Sequence, residues 1–295
     1  MSRTNLFASL GLMPALMGLG HLAPAIGAIH TATGSYQFPG SVLGLIGTIS
    51  ALVDSIDKYK DTPLSRRPRK WVWKTWTYSL SAICVACAFM SGLQTVLLVL
   101  RPLPLGLLWS ARCVPLFSKS GGLLLIKPKS FLGEAKSFVV ALCMASVCAQ
   151  ASMAYYCQRE GSHCSEDRLR WKSFQLACLY QFLRETACDV RDIREDTIEG
   201  LHTLPVKLGK QRTLLLMALI GLLLDMVITQ SVLLTAAGSF VVRFPHAIYS
   251  CLRIGSTIAA YSLILQYPRA NIWAWGTMSL FGLTPVLFAQ AALNR

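Results

Sequence analysis

The chain alternates between long, continuous apolar runs and short polar connections. Runs that stay apolar on every face, instead of alternating with a period of two, are the pattern of helices surrounded by lipid and exclude a transmembrane barrel. On that basis the sequence predicts nine spans of about 20 residues, at about 5–29, 38–56, 75–100, 102–117, 137–156, 173–188, 213–237, 244–266 and 271–293. The expected fold is an all-α membrane protein, a nine-transmembrane-helix bundle forming one domain over 1–295. The first run is too long, with too little charge ahead of it, for a cleaved signal peptide.

Composition agrees with that pattern. Of 295 residues 54% are hydrophobic and only 14% charged, with a mean hydropathy of +0.49, against about 25% charged in soluble domains. The net charge of +14 could suggest nucleic acid, but no soluble segment is long enough to carry a basic, aromatic-bearing face, so no nucleic-acid partner is expected. The charge is instead distributed by side. Eighteen Lys and Arg fall on the side where spans 2 and 6 end, and seven on the other. By the positive-inside rule the first side is cytosolic, stromal or matrix.

Acidic residues are scarce, and six of the eight Asp form two trios. Asp54, Asp57 and Asp61 follow span 2; Asp189, Asp192 and Asp196 follow span 6. Both have the spacing i, i+3, i+7, which puts three like charges on one helix face. A solvated acidic helix end is the bland reading, but the recurrence argues against it. Three facing carboxylates call for a cation, and hard oxygen ligands point to Mg²⁺ instead of zinc. Both trios follow even-numbered spans, so they emerge on the same side of the lipid bilayer and face each other.

Two such trios can hold Mg²⁺ against a diphosphate and stabilise it as a leaving group. Arg66 or Arg67, Lys127, Lys129, Lys136 and Lys207 are candidate diphosphate ligands from neighbouring loops. An apolar bundle under a diphosphate suits an isoprenoid tail, and therefore a prenyl diphosphate. Tyr155, Tyr156, Tyr180, Phe174 and Phe182 are candidate aromatic faces for an allylic cation, or simply packing.

Other polar positions are read as structural. His21, inside span 1, is expected to be packed and neutral, and Asp225, inside span 7, to pair with Arg253 or Arg112 or to line the polar end of the cavity. Most of the ten Cys lie in apolar runs and pack as small apolar groups. Cys84 and Cys87 have CxxC spacing but no second pair or His beside them. Cys157 and Cys164 share a polar loop and can pair only in an oxidising compartment.

The stretch Cys188 to Thr213, CDVRDIREDTIEGLHTLPVKLGKQRT, resembles the second Asp motif of the UbiA-type intramembrane prenyltransferase family and the G-x-x-T-L-P-x-x-L-G-x-x-R-T tail that follows it. DSIDKYKDTPLSRRP, residues 54–68, is similar to the first motif, with Val53 where the family has Asn and Arg67-Pro68 matching its Arg-Pro. IKPKSFLGEAKSFVVAL is similar to the basic segment before the fifth helix. The resemblance implies a nine-helix bundle, Mg²⁺ on the six Asp, Lys127, Lys129 and Lys136 on the diphosphate, and transfer of an isoprenyl group to a lipophilic acceptor such as an aromatic ring. A terpene cyclase of the same type, which uses no acceptor, and a transporter, in which the buried charges mark a path, are the alternative readings.

Overall fold

A computed structural model describes residues 11–36, 38–62, 67–108, 113–117, 123–160, 164–234, 240–266, 274 and 282–294. The first half holds helices α1 (Met13–Gly20), α2 (Leu22–Thr33), α3 (Gly40–Asp61), α4 (Lys70–Ser91), α5 (Leu93–Leu100) and α6 (Leu103–Leu108), then strands β1 (Val114–Phe117) and β2 (Leu123–Ile126). Then come α7 (Pro128–Leu132), α8 (Lys136–Ala145), α9 (Ala151–Glu160), α10 (Asp167–Ile198), α11 (Leu204–Leu208) and α12 (Lys210–Ile228). Strands β3 (Val232–Leu234) and β4 (Phe240–Val242) and helices α13 (Phe244–Ile264) and α14 (Pro285–Ala291) complete the described chain.

The fold is helical, as the apolar runs predict. Helices at Gly40–Lys60, Ser130–Gln158, Lys210–Ile228 and Phe244–Ile264 are each long and apolar enough to cross a membrane. On α12, Leu215, Leu219 and Leu223 form an exposed stripe at helical spacing, an outward face suited to lipid tails and not to water.

Four expected spans differ: span 3 is broken at Gly92 (φ +84°), between α4 and α5, and spans 4, 7 and 1 also depart. Span 4 was expected over 102–117, but helix α6 stops at Leu108, and Val114–Phe117 is a strand paired antiparallel with Leu123–Ile126, Val114 opposite Ile126. Span 7 was expected to reach 237, but α12 stops at Ile228, a turn in which Gln230 takes φ +57° follows it, and Val232–Leu234 then pairs antiparallel with Phe240–Val242. In both cases a short apolar strand and a short apolar helix read alike from hydropathy. Span 1 is broken at His21, between α1 and α2. Residues 5–10, 271–273 and 275–281 lie outside the described residues.

Helix α10 is the axis of the molecule. Its Leu176, Leu179, Tyr180 and Leu183 pack with Met217, Ile254, Tyr261, Leu283 and Val286. A second core joins Ile29, Val42, Leu45, Ile46 and Ile49 to Val99, Val147 and Tyr155. Between α1 and α3 the contact is close: a Cβ on Gly18 would lie 2.4 Å from the Gly47 carbonyl oxygen, so only a hydrogen there lets the two backbones meet. Buried Gln290 donates through Nε2 to Ser173 Oγ (2.9 Å), tying α14 to α10.

At 32 residues and a rise of 1.5 Å per residue, α10 is about 48 Å long, beyond the roughly 30 Å hydrocarbon thickness. The helix is therefore longer than one crossing needs, and its charged residues from Asp189 onward gather at its C-terminal end. The helix closes at Gly200 (φ +69°), and the Leu201 N–H returns to the Asp196 carbonyl at 2.8 Å, a left-handed cap that glycine adopts without a Cβ clash.

Candidate active site

Helical spacing builds the site from two stripes. On α3, Ile49, Ser50, Val53, Asp54 and Asp57 share one face. On α10, Arg184, Glu185, Cys188, Asp189 and Asp192 share another. Both stripes line a single cavity of about 360 Å³, completed by Met17 of α1, His21 at the α1–α2 break, Val99, Leu103 and Leu105, and Lys136, Val140, Met144 and Val147. The structure thus brings together Asp54 and Asp57 of the first trio with Asp189 and Asp192 of the second.

Each carboxylate that faces the cavity with a described contact has a cation on it. Lys58, one turn beyond Asp54, reaches its Oδ2 at 2.6 Å. Arg191 grips Asp192 with two bonds, Nε to Oδ1 at 2.5 Å and Nη2 to Oδ2 at 2.8 Å. Lys136 donates to Asp189 Oδ1 at 2.5 Å, and Ser137 Oγ donates to Asp189 Oδ2 at 2.6 Å. As the first residue of α8, Lys136 sits at the positive end of a helix dipole, where a lysine is disfavoured; Asp189 offsets that cost.

Asp196 lies one step away from the cavity lining. It is buried, accepts from Thr203 Oγ1 at 3.1 Å, and lies 3.9 Å from Lys136 Nζ. Burial, the largest influence, raises its carboxyl above the usual range, and Lys136 pulls it back down.

The expected diphosphate ligands separate. Lys136 lines the cavity. Lys127 pairs with Glu199 at 3.7 Å and Lys207 with Glu134. Arg67 instead caps the end of α3: its Nε donates to the Thr62 carbonyl at 3.0 Å and its guanidinium lies 4.8 Å from the centre of the Tyr59 ring. The side chains of Asp61 and Lys129, and all of Arg66, lie outside the described residues. Tyr155, Tyr156, Tyr180, Phe174 and Phe182 are packed elsewhere and do not line this cavity.

Sequence reasoning did not place Lys58, Arg191, His21, Arg184 and Glu185 in the site. The signal for the first two was local: Lys58 is at i+4 from Asp54, and Arg191 adjoins Asp192. The signal for Arg184 and Glu185 was their position inside an otherwise apolar run. Asp225, by contrast, pairs with Arg253 as the sequence suggested, at 2.5 Å, and accepts from Tyr180 Oη at 2.9 Å. That closed buried cluster is separate from the cavity lining.

Among the described residues no three Asp, Glu, His or Cys side chains converge as a ready-made metal cluster. Mg²⁺ does not need one, because it uses one or two carboxylates with waters and phosphate oxygens. Asp54, Asp57, Asp189 and Asp192 offer carboxylate oxygens from two helices to one space. That donor set fits a hard divalent cation bound together with an anionic ligand.

Comparison with known proteins supports the same fold. A UbiA homologue from Archaeoglobus fulgidus bound to GPP and Mg²⁺ is 16% identical, with a TM-score of 0.54 over 97% of this chain and 99% of that one. A structure described as digeranylgeranylglyceryl phosphate synthase is 13% identical, with a TM-score of 0.50 over 99% of both chains. The apo structure of a UbiA homologue from Aeropyrum pernix K1 is 15% identical, with a TM-score of 0.50 over 95% of both. At these identities the likeness is one of fold. No curated protein sequence matches the chain. With four helices among the described residues long and apolar enough to cross a membrane, and the fold of UbiA homologues, the chain is an integral, multi-pass membrane protein; residues 4–293 match the family described as VviA prenyltransferase, and with nearly the whole sequence covered, the chain belongs to that family.

Proposed function

We propose that the protein is a Mg²⁺-dependent intramembrane prenyltransferase that moves an isoprenyl group from a prenyl diphosphate to a lipophilic acceptor. The observation that carries this reading is the shared cavity: carboxylates of two helices distant in sequence open onto one space whose remaining wall is largely apolar. Solved neighbours of the same fold hold GPP or DMAPP together with Mg²⁺.

Asp54, Asp57, Asp189 and Asp192 would hold the cation, with Asp61 and Asp196 completing the trios. Bound there, Mg²⁺ supplies positive charge that neutralises the diphosphate as it leaves. Lys136, Lys58 and Arg191 each sit on a carboxylate in this structure. With a metal on those carboxylates, these basic side chains would be placed to donate to the phosphate oxygens. Val99, Leu103, Leu105, Val140 and Val147 line the space for the isoprenyl chain and keep water from the allylic cation.

The carboxylates are assigned to the cytosolic, stromal or matrix side. Cys157 and Cys164 are disulfide-bonded, and that loop leads into the start of α10. Asp189 lies 22 residues after Asp167, the first residue of that helix, which is roughly 33 Å at the helical rise. A disulfide of that loop belongs in an oxidising compartment, which supports the reading that the carboxylates face the opposite, reducing side.

Cyclisation without an acceptor is the second reading. It is favoured by Val53, which lines the cavity with an apolar side chain at the position of the family's Asn. Incubating purified protein with Mg²⁺ and a series of prenyl diphosphates, with and without extracted lipids, separates the two by mass spectrometry. A prenylated acceptor supports transfer, and a cyclic hydrocarbon in the absence of acceptor supports cyclisation.

A further inference from the structure

A second cavity, of about 550 Å³, lies at the other end of α10 from the carboxylates. Asp167, Arg170, Trp171 and Phe174 line it from one face of that helix, at the i, i+3, i+4, i+7 spacing. The two cavities share no lining residue, and on α10 about 15 Å of helical rise separates Phe174 from Arg184. Gln94 and Leu98 of α5 and Gln158 of α9 complete the wall. The apolar helical run Ser130–Gln158 ends here, so the cavity sits where a spanning segment meets the membrane surface. Trp171, 59% exposed, is of the residue type enriched at that level.

The lining carries one acid, one base and three amides. Arg170 pairs with Asp167, and its Nη1 donates to Cys157 Sγ at 2.9 Å and to Cys164 Sγ at 3.3 Å. Neither hold is strong. The Asp167 side chain is 93% exposed, where an ion pair contributes little, and sulfur is a weak acceptor. Ser146 Oγ donates to Gln150 Oε1 at 3.0 Å, and Gln158 Nε2 donates to Gln94 Oε1. With those oxygens taken, the Gln94 and Gln150 amides offer N–H donors. Gln150 ends a π-helical turn, Ser146–Gln150, a local widening found mostly at functional sites. Trp171 stacks on Phe174 with ring centroids 5.3 Å apart. That contact fixes the plane of the indole, the aromatic face that attracts a cation best.

We propose that this cavity binds the head group of a zwitterionic phospholipid. The ammonium lies over Trp171 beside Asp167, and the phosphate accepts from Arg170. The two acyl ester carbonyls accept from Gln94 and Gln150. The acyl chains leave along Leu98 and the exposed Leu93 and Leu97 of α5. The ligand thus exchanges one weak internal ion pair for two, each with a charge of the lipid. An anionic head group would set its phosphate beside Asp167 with nothing to balance that carboxylate. A sugar head group would leave the Arg170–Asp167 pair without a charged partner to exchange for. The site is independent of the carboxylate cavity and of the reaction proposed there.

The test uses the full chain, stripped of lipid in a maltoside detergent, with native mass spectrometry counting the molecules retained. The probes are phosphatidylcholine, phosphatidylglycerol with the same acyl chains, and water-soluble phosphocholine. Wild type should retain one phosphatidylcholine per chain at least fivefold more tightly than either of the others. Arg170→Gln and Trp171→Ala should each weaken that retention at least fivefold, and Trp171→Phe, which keeps an aromatic face, less than twofold. Thermal unfolding without lipid should be unchanged by Trp171→Ala and Trp171→Phe, which separates lost binding from lost fold. Equal retention of phosphatidylcholine and phosphatidylglycerol, or undiminished retention by both Arg170→Gln and Trp171→Ala, would overturn the assignment. Phosphocholine bound as tightly as the lipid would also overturn it, by making the source a soluble ligand and not a membrane lipid.

Discussion

Lys136 and Asp189 lie 53 residues apart in sequence, and their side chains meet at 2.5 Å across the mouth of the cavity. The lysine occupies the position where a cation is expected on that carboxylate. Replacing it should therefore have opposite effects on two ligands. Lys136→Met frees Asp189 and should raise the affinity for Mg²⁺ alone, while prenyl diphosphate affinity falls about tenfold through the loss of a charge-assisted donor. Titration calorimetry with each ligand checks both signs. A parallel loss of both affinities would mean that the pair serves structure only.

Asp57 and Asp192 are half-buried and belong to different helices of one site. Asp57→Asn or Asp192→Asn should each lower turnover about a hundredfold or more, the usual scale for removing one electrostatic contact to a developing charge. The fold should survive, because both side chains keep their shape. Turnover assays beside thermal unfolding in detergent read the two effects separately.

Asp225 and Arg253 are a different kind of pair. Asp225 is fully buried and held by Arg253, Tyr180 and its own helix turn. Arg253→Met should cost about 3–5 kcal/mol by leaving a buried charge unpaired, with little change in diphosphate affinity. Asp225→Leu combined with Arg253→Met should recover most of the loss. Unfolding of the three variants checks this; a selective loss of prenyl diphosphate binding would instead link the cluster to the site.

The orientation proposed from the Cys157–Cys164 disulfide has a direct test. After reduction, a membrane-impermeant maleimide applied to intact cells should label Cys157 and Cys164 without permeabilisation. A cysteine introduced at exposed Lys60, at the end of α3, should be labelled only after permeabilisation. The reverse pattern would put the carboxylates on the outer face.

Particular residues show what the sequence could and could not convey. That Asp54 and Asp57 share a space with Asp189 and Asp192 was legible because their helical spacing recurs in a chain with few acids. The partner of Asp225 was legible because a lone acid in an apolar run needs a base, and few are near. The ends of spans 4 and 7 were not, since Val114–Phe117 and Val232–Leu234 are as apolar as any helix and hydropathy has no memory of period over four residues. Arg67, Lys127 and Lys207 shared the charge and loop position of Lys136, but their carbonyl and carboxylate partners are set by tertiary contacts that no local pattern encodes. Arg191 and Lys58 were hidden for the opposite reason: beside an Asp they read as local ion pairs, and only the cavity shows what they face.

The central claim is that carboxylates of α3 and α10 act on one ligand. It is tested most directly by determining the structure with a non-hydrolysable prenyl thiodiphosphate and Mn²⁺ in place of Mg²⁺, using the anomalous signal to locate the metal. The account predicts metal peaks that bridge the diphosphate to at least one of Asp54 and Asp57 and at least one of Asp189 and Asp192. A diphosphate held by one helix alone, or bound outside the cavity, would contradict it.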